Sequence, residues 1–371
     1  MVNYHLYEYS LCFALVLMLF FSIYFIAAKT PSKPIYSNYA RSRKIMGVAL
    51  LVLAANYSVH IFGNIRFSHL NAAILMNLST YFLSCWLFSS ALMTLLDRTY
   101  LTLHRFIVHM ILWLSFTAVS GVILLLLPDG VIQWIGLLIM AIWFFFYGFC
   151  LARRLILTYH RAVKLFDDTH SDYIAAYIHW LSIFTYWAVI YGVSCGLLTF
   201  LPNRYVYLWI LSSIPFYIYL YCSYMNYLLF YEQVEQILET EMTTEPSTPS
   251  AEEQENMSSC YAGIAKNLDT WIAEDGYTSP GLTIEELSGT LKTNRTYLAN
   301  YIKNTYHISF RDYITELRLE YAKRMLVKHP EQTVNGISES SGFLSSSYFT
   351  KIFKEKEGLS PARWRKKEQT S

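Results

Sequence analysis

The sequence predicts an all-α chain in two parts: a polytopic bundle of about seven membrane helices, then a soluble domain of two helix-turn-helix units joined by a long helix. Three observations predict it. Apolar runs long enough to cross a bilayer follow one another through residue 230, the charge balance changes sharply twice, and the last ninety residues contain an internal repeat.

The apolar runs fall near 11 to 28, 45 to 64, 70 to 96, 106 to 127, 131 to 152, 177 to 201 and 205 to 230. Each approaches the length needed to cross about 30 Å of hydrocarbon. One such run could be a buried helix of a globular core. Seven in series, separated by short polar turns such as Pro128-Asp129-Gly130 and Pro202-Asn203-Arg204, point to a membrane bundle over residues 1–230. The first run is read as a helix with its N-terminus outside rather than as a leader, because Met1 to Ser10 holds no Lys or Arg.

Loop charges set the orientation. Lys29, Lys33, Arg41, Arg43, Lys44, Arg98, Arg105, Arg153, Arg154, Arg161 and Lys164 fall on one side, against Arg66 and Arg204 on the other. Basic residues near helix ends stay on the cytoplasmic side, so everything after Phe230 is expected in the cytoplasm, with the chain in a bacterial inner membrane. Tyr4, Tyr7, Tyr9, Tyr205, Tyr207 and Trp209 suit the aromatic belt at the membrane interface.

Through Phe230 the chain carries +7; from Tyr231 to Tyr261 there are eight Glu and no basic residue; Ala262 to Ser371 carries +3. The acidic stretch 231–261, with Glu245-Pro246-Ser247-Thr248-Pro249-Ser250 at its centre, buries too little apolar surface to offset its ordering entropy and is expected to be a flexible linker. Its start can be helical. Tyr227, Phe230, Val234 and Ile237 follow a 3-4-3 spacing that fits either a short coiled-coil seam for a homodimer or a solvated helix end.

The repeat lies within residues 262–371. Asn294 to Lys303 aligns with Ser345 to Lys354 at a shift of 51, and Thr283 to Ser288 aligns with Thr333 to Ser338 at a shift of 50. The added residue falls around Gly342, where a helix-to-helix turn calls for positive φ. Each copy reads as short helix, turn, second helix. Thr283 with Glu286 and Ser309 with Asp312 fit capping boxes, Asn294 and Ser345 fit N-caps, and Ser360-Pro361 supplies an N-cap and first helical residue. Ser309 to Lys328 reads as one long amphipathic helix between the copies.

On each second helix Leu298 with Ile302, and Phe349 with Phe353, are spaced to face a core. The opposite faces carry Thr296, Asn300 and Lys303 in one copy and Ser347, Lys351 and Lys354 in the other. Hydroxyls, an amide and cations at that spacing suit a helix in a DNA major groove, where polar groups read base edges and Lys or Arg hold phosphates. Residues Lys292 to Ser371 carry fifteen basic and eight acidic side chains, which fits a polyanionic partner.

The segment Thr283 to Lys366 resembles the AraC/XylS family of bacterial transcription regulators. Leu282-Thr283-Ile284-Glu285-Glu286-Leu287, Leu317-Arg318-Leu319-Glu320-Tyr321-Ala322-Lys323-Arg324-Met325-Leu326, Gly342-Phe343, Ser347-Tyr348-Phe349, Phe353-Lys354 and Ser360-Pro361 carry the likeness. The resemblance implies sequence-specific binding of double-stranded DNA, with base contacts falling on Thr296, Ala299 and Asn300 and on Ser347, Thr350 and Lys351. Asn294, Arg295, Lys303, Ser345, Ser346 and Lys354 flank these. Ala299 cannot hydrogen-bond a base, Ser288 and Ser338 stand where the family usually has Ala, and Gly336 sits inside a helix at a cost of up to about 1 kcal/mol. The membrane half has no counterpart in that resemblance, so the effector is left unknown.

Asn56, His60 and Asn64 lie at i, i+4 and i+8 on the second apolar run, and Asn77, Tyr81 and Ser84 can face them from the third. Two readings fit: a ligand pocket opening outward, and interhelical hydrogen bonds that fix packing. No nucleophile elbow, phosphate loop, H-E-x-x-H, kinase or receiver signature occurs, and five of the six Cys lie in apolar runs without metal spacing, so no enzyme, cofactor or metal is predicted. The alternative function is a transporter or receptor whose cytoplasmic domain binds a protein partner.

Overall fold

In the computed structural model, which describes residues 2–172, 175–198, 205–243 and 251–369, the chain is helical almost throughout. Among the described residues the sole extended pairing is an isolated antiparallel bridge between His170 and Thr283. The chain divides into two units: Met1–His160 with Tyr177–Thr240, and Arg161–Ala176 with Glu241–Ser371.

The first unit is built from α1 (Val2–Ala27), α2 (Ser37–Phe62), the single turn α3 (Ile65–Ser68), α4 (Leu70–Leu96), α5 (Leu103–Gly121), α6 (Val131–Thr169), α7 (Ala175–Leu198) and α8 (Val206–Thr243). Six of the described helices are long and apolar enough to cross a membrane. The run expected at 177–201 is helical as α7 to Leu198, and its end lies outside the described residues. Phe13, Val16, Phe20 and Ile23 of α1 and Trp134, Leu138 and Ile142 of α6 are exposed, apolar surface of the kind that a lipid bilayer or a protein partner covers.

Small residues let these helices approach. A Cβ at Gly47 would meet Ile26 Cγ1 at 2.6 Å, and Ser22 Oγ donates to Gly47 O at 2.8 Å, so α1 and α2 pack backbone to backbone. Ser42 Oγ donates to Ala91 O at 2.6 Å, tying α2 to α4, and Tyr39 OH donates to Tyr224 O at 2.9 Å, tying it to α8.

The acidic stretch is helical further than its composition suggests: α8 continues to Thr243, and α9 (Ala251–Ala273) starts before Tyr261. The first part is held by packing. Tyr231 and Val234 are buried, Glu235 pairs with Arg98, and Glu232 pairs with Lys33 at 2.8 Å. Residues 244–250, the Pro-rich centre, lie outside the described residues.

In the second unit, α10 (Ile284–Thr290) and α11 (Arg295–Tyr306) form one copy of the repeat, and α13 (Val334–Ser340) and α14 (Ser346–Glu357) the other. The linking helix α12 (Phe310–Lys328) runs between them, with α15 (Pro361–Glu368) at the end. Each copy has its own core. Ile264, Leu268 and Trp271 of α9 close the first around Leu287, Leu298 and Ile302; Trp364 of α15 packs on the second around Ile337, Phe349 and Phe353.

Serving two cores changes what α12 looks like. It has two buried faces rather than the single stripe expected: Phe310, Tyr313, Ile314 and Leu317 turn to the first core and Leu319, Ala322 and Leu326 to the second. At 3.6 residues per turn these faces lie roughly 150° apart.

Candidate nucleic-acid interface

The turn inside each copy follows one pattern. Leu291 N donates to Leu287 O and Thr293 N to Ser288 O in the first; Ser341 N to Ile337 O and Phe343 N to Ser338 O in the second. Lys292 (φ 55°) and Gly342 (φ 86°) occupy the same left-handed position, fifty residues apart. The correspondence therefore holds at a shift of 50 through Phe343, and the added residue comes after the turn glycine rather than at it.

Both second helices are started and stopped alike. Asn294 Oδ1 accepts from Tyr297 N at 2.7 Å and Ser345 Oγ from Tyr348 N at 3.2 Å, so these two side chains serve as N-caps. His307 (φ 59°) and Gly358 (φ 73°) end α11 and α14 in the left-handed region. Thr283 and Glu286 form the expected reciprocal capping box, whereas Ser309 accepts from Asp312 N while the Asp312 carboxylate turns to Arg311.

What remains on the outer face of α11 is Thr296 and Lys303, both exposed, with Arg295, Ala299 and Asn300 half-buried. Ala299 packs against the first core, consistent with a methyl that fits close approach and no hydrogen bond. On α14, Ser347, Lys351 and Lys354 are exposed and Thr350 is half-buried. Ser346 Oγ donates to Asn335 Oδ1 at 2.7 Å and so braces α13 against α14.

Sequence reasoning did not single out the role of Arg318. It is fully buried where the two cores meet, and donates to Tyr277 O at 2.8 Å and Ser279 O at 2.7 Å. Ser171 Oγ at 3.2 Å and Asp172 Oδ1 at 3.3 Å complete its shell. Burial opposes its charge and Asp172 supports it. The signal was present as a lone Arg at a core-facing helix position.

The polar residues of α2 and α4 separate. Asn56 Nδ2 donates to Thr80 Oγ1 at 3.0 Å, and His60 Nε2 meets Asn77 Oδ1 at 2.9 Å, both interhelical bonds. Asn64 lies beyond the end of α2 in a left-handed turn (φ 45°), so the stripe stops at His60. His60, Asn77 and Tyr81 line a space of about 30 Å³, room for one or two waters.

These elements define the class: the C-terminal part carries two helix-turn-helix units on a shared central helix, with two outward polar and basic faces. Residues 287–367 match the family described as a helix-turn-helix domain. The chain is 35% identical over 100 residues to the raffinose operon transcriptional regulatory protein of Pediococcus pentosaceus, covering 27% of this chain and 35% of that one. It is 28% identical over 120 residues to the Msm operon regulatory protein of Streptococcus mutans serotype c, 32% and 41% of the two chains. With the melibiose operon regulatory protein of Escherichia coli K12 the identity is 27% over 126 residues, 34% and 38% of the two. The chain thus spans about two fifths or less of the length of these relatives.

Proposed function

We propose that this protein is a membrane-embedded transcription regulator that binds double-stranded DNA in sequence-specific fashion, with its C-terminal unit in the cytoplasm of a bacterium. The observation that carries the reading is the duplicated display: two capped helices, α11 and α14, each presenting small polar groups and a cation outward from its own core. Asn300, Thr296 and Arg295 in one copy and Ser347, Thr350 and Lys351 in the other read bases, while Lys303 and Lys354 hold phosphates. The apolar half anchors the protein in the lipid bilayer and receives an effector.

A homodimer on paired DNA sites is compatible with this reading. Of the four positions of the seam expected there, Tyr227 and Val234 are buried, and the side chains of Phe230 and Ile237 lie outside the described residues. The test is binding of the purified protein to random-sequence and genome-selected duplexes across a salt series. Affinity should fall steeply with salt as Lys and Arg displace condensed counterions. Salt-independent binding would favour a protein partner instead.

A further inference from the structure

The first unit contains a cavity of about 220 Å³ that neither the fold nor DNA binding explains. That is larger than the roughly 150 Å³ engineered cavity that takes up benzene. Its wall is aromatic and aliphatic and includes Phe144, Phe184 and Phe216, with no charged side chain among its lining residues. Ser84 and Ser89 also line it; both are more than nine-tenths buried, and neither hydroxyl has a hydrogen-bond partner. A buried hydroxyl left unpaired costs about 1–3 kcal/mol, a penalty that a ligand's own polar group would remove.

We propose that this cavity is the effector site of the membrane half, and that its ligand is a neutral, mainly apolar molecule of one ring or a medium-length chain bearing one hydroxyl or carbonyl. The proposal deepens the sensor reading above and rests on it. A sugar has a hydroxyl on nearly every carbon and would bury more polar groups than this largely aromatic lining, in which Thr185 and Ser213 already donate to backbone carbonyls of their own helices, can satisfy. An ion has no countercharge there. A chain alcohol matches the apolar wall and offers one polar group to an unpaired serine hydroxyl.

The test uses full-length protein in lipid nanodiscs and a photoreactive, diazirine-bearing octanol. A Cβ added at Gly148 meets only Cys85 Sγ within 4 Å, at 3.9 Å, so Gly148→Leu extends into the cavity. Saturable labelling of the peptides holding residues 84–89 and 144–155, abolished by Gly148→Leu, is expected. Ser84→Ala with Ser89→Ala should weaken the octanol probe roughly tenfold while leaving a diazirine alkane of equal length unchanged. Non-saturable labelling confined to lipid-facing residues, or labelling indifferent to Gly148→Leu, would overturn the site. Equal weakening of alcohol and alkane would overturn the role of the hydroxyls. DNA binding is not read in this experiment, so its failure is separate from failure of the DNA-binding reading.

A second observation stands independently, inside the second unit. The segment Arg161–Ala176 belongs to that unit and brings Asp167, Asp168 and Asp172 to the first helix-turn-helix copy. Asp167 pairs with Arg311 of α12, and Asp172 and Ser171 complete the shell of Arg318. Ser171 N donates to Leu282 O at 3.0 Å, and His170 bridges Thr283. Burial, and next the charge of Arg295 on α11, push the His170 imidazole down to about 4.

From these contacts we infer that the acidic segment is an autoinhibitory strap, with Asp167 paired to Arg311 and adding negative charge beside the first copy that repels DNA phosphates. This inference rests on the DNA-binding reading. Bridge partners lie about 4.5–5.5 Å apart at Cα, within the range a disulfide spans. The double substitution His170→Cys, Thr283→Cys, in a Cys260→Ser background, should therefore lock the strap under oxidation. Full-length protein in nanodiscs is titrated with a random-sequence duplex. Oxidation should weaken binding at least tenfold, reduction should restore it, and Asp167→Asn should tighten it severalfold. Equal binding in the oxidised and reduced forms would overturn the strap alone. Absence of binding in every form, wild type included, would overturn the DNA-binding reading with it.

Discussion

Replacing Gly342 by Ala tests the duplicated turn directly. At φ 86° an L-residue costs about 1–2 kcal/mol, and the new Cβ would lie 2.4 Å from Thr278 O and 3.0 Å from Arg318 Nε. Thr278 O is backbone, so relief requires moving the segment that also carries the carbonyls bound by Arg318. The combined cost is roughly 3 kcal/mol or more, comparable to other strained or overpacked core substitutions. Gly289→Ala is the control. It lies inside α10 with nothing within 4 Å of its added Cβ, and should stabilise by about 0.5–1 kcal/mol. Lys292→Gly, at the matching turn of the first copy, should stay within about 0.5 kcal/mol of neutral, because relief of its positive φ offsets the greater freedom of the unfolded chain. Hydrogen exchange of the full-length protein under a urea series, read at the peptides holding Leu298 and Phe349, reports on both copies, since these residues sit in the first and second cores. A Gly342→Ala cost no larger than the effect of Gly289→Ala would refute the turn argument.

Lys303→Ala or Lys354→Ala should weaken binding to all duplexes and lower the salt slope by about one, while Asn300→Ala or Lys351→Ala should cost about 1–3 kcal/mol on the preferred sequence alone, read by competition assays. Reporter fusions should be active in the cytoplasm after Phe230 and outside near Asp129, with the opposite pattern ruling out the orientation. With its imidazole held near 4, His170 stays neutral in the docked segment and charges when released. Its contribution is therefore present above about pH 6.5 and lost as pH falls toward 4, of order 2 kcal/mol after discounting its partial exposure. Hydrogen exchange at residues 167–172 should rise over that window in wild type and much less in His170→Gln.

The repeat was legible because local chemistry wrote it. Thr283, Asn294, Ser309 and Ser345 cap where their sequence positions say, and Gly342 turns where positive φ was needed. What escaped was set by tertiary partners. A helix that serves two cores shows no single stripe, so α12 reads as ordinary amphipathic sequence while packing on two faces. Acidic composition argued for disorder after Tyr231, yet Tyr231 and Val234 find apolar neighbours and Glu235 finds Arg98, and the helix persists. Asn64 shares the spacing of Asn56 and His60, but Gly63 ends the helix before it.

Helical order where composition suggested a coil bears on how a signal would travel. A disordered tether dissipates a displacement of a few ångströms, which favours control by association alone. The helix α6 offers another route. It is continuous from Val131 to Thr169, lines the cavity at residues 144–155 and carries Asp167 and Asp168 in its last turn. Were α6 to act as a rod, a shift or rotation at the cavity would reach Asp167 along the chain. Inserting Gly-Gly after Leu157 should break this route, because paired glycines destabilise a helix interior by about 2 kcal/mol and rotate the C-terminal part of the helix by roughly 200°. Measured in nanodiscs, the insertion should leave octanol photolabelling of the cavity intact and abolish any change that octanol makes to duplex binding. An octanol response that survives the insertion would rule out transmission along α6 and return the signal to association between chains.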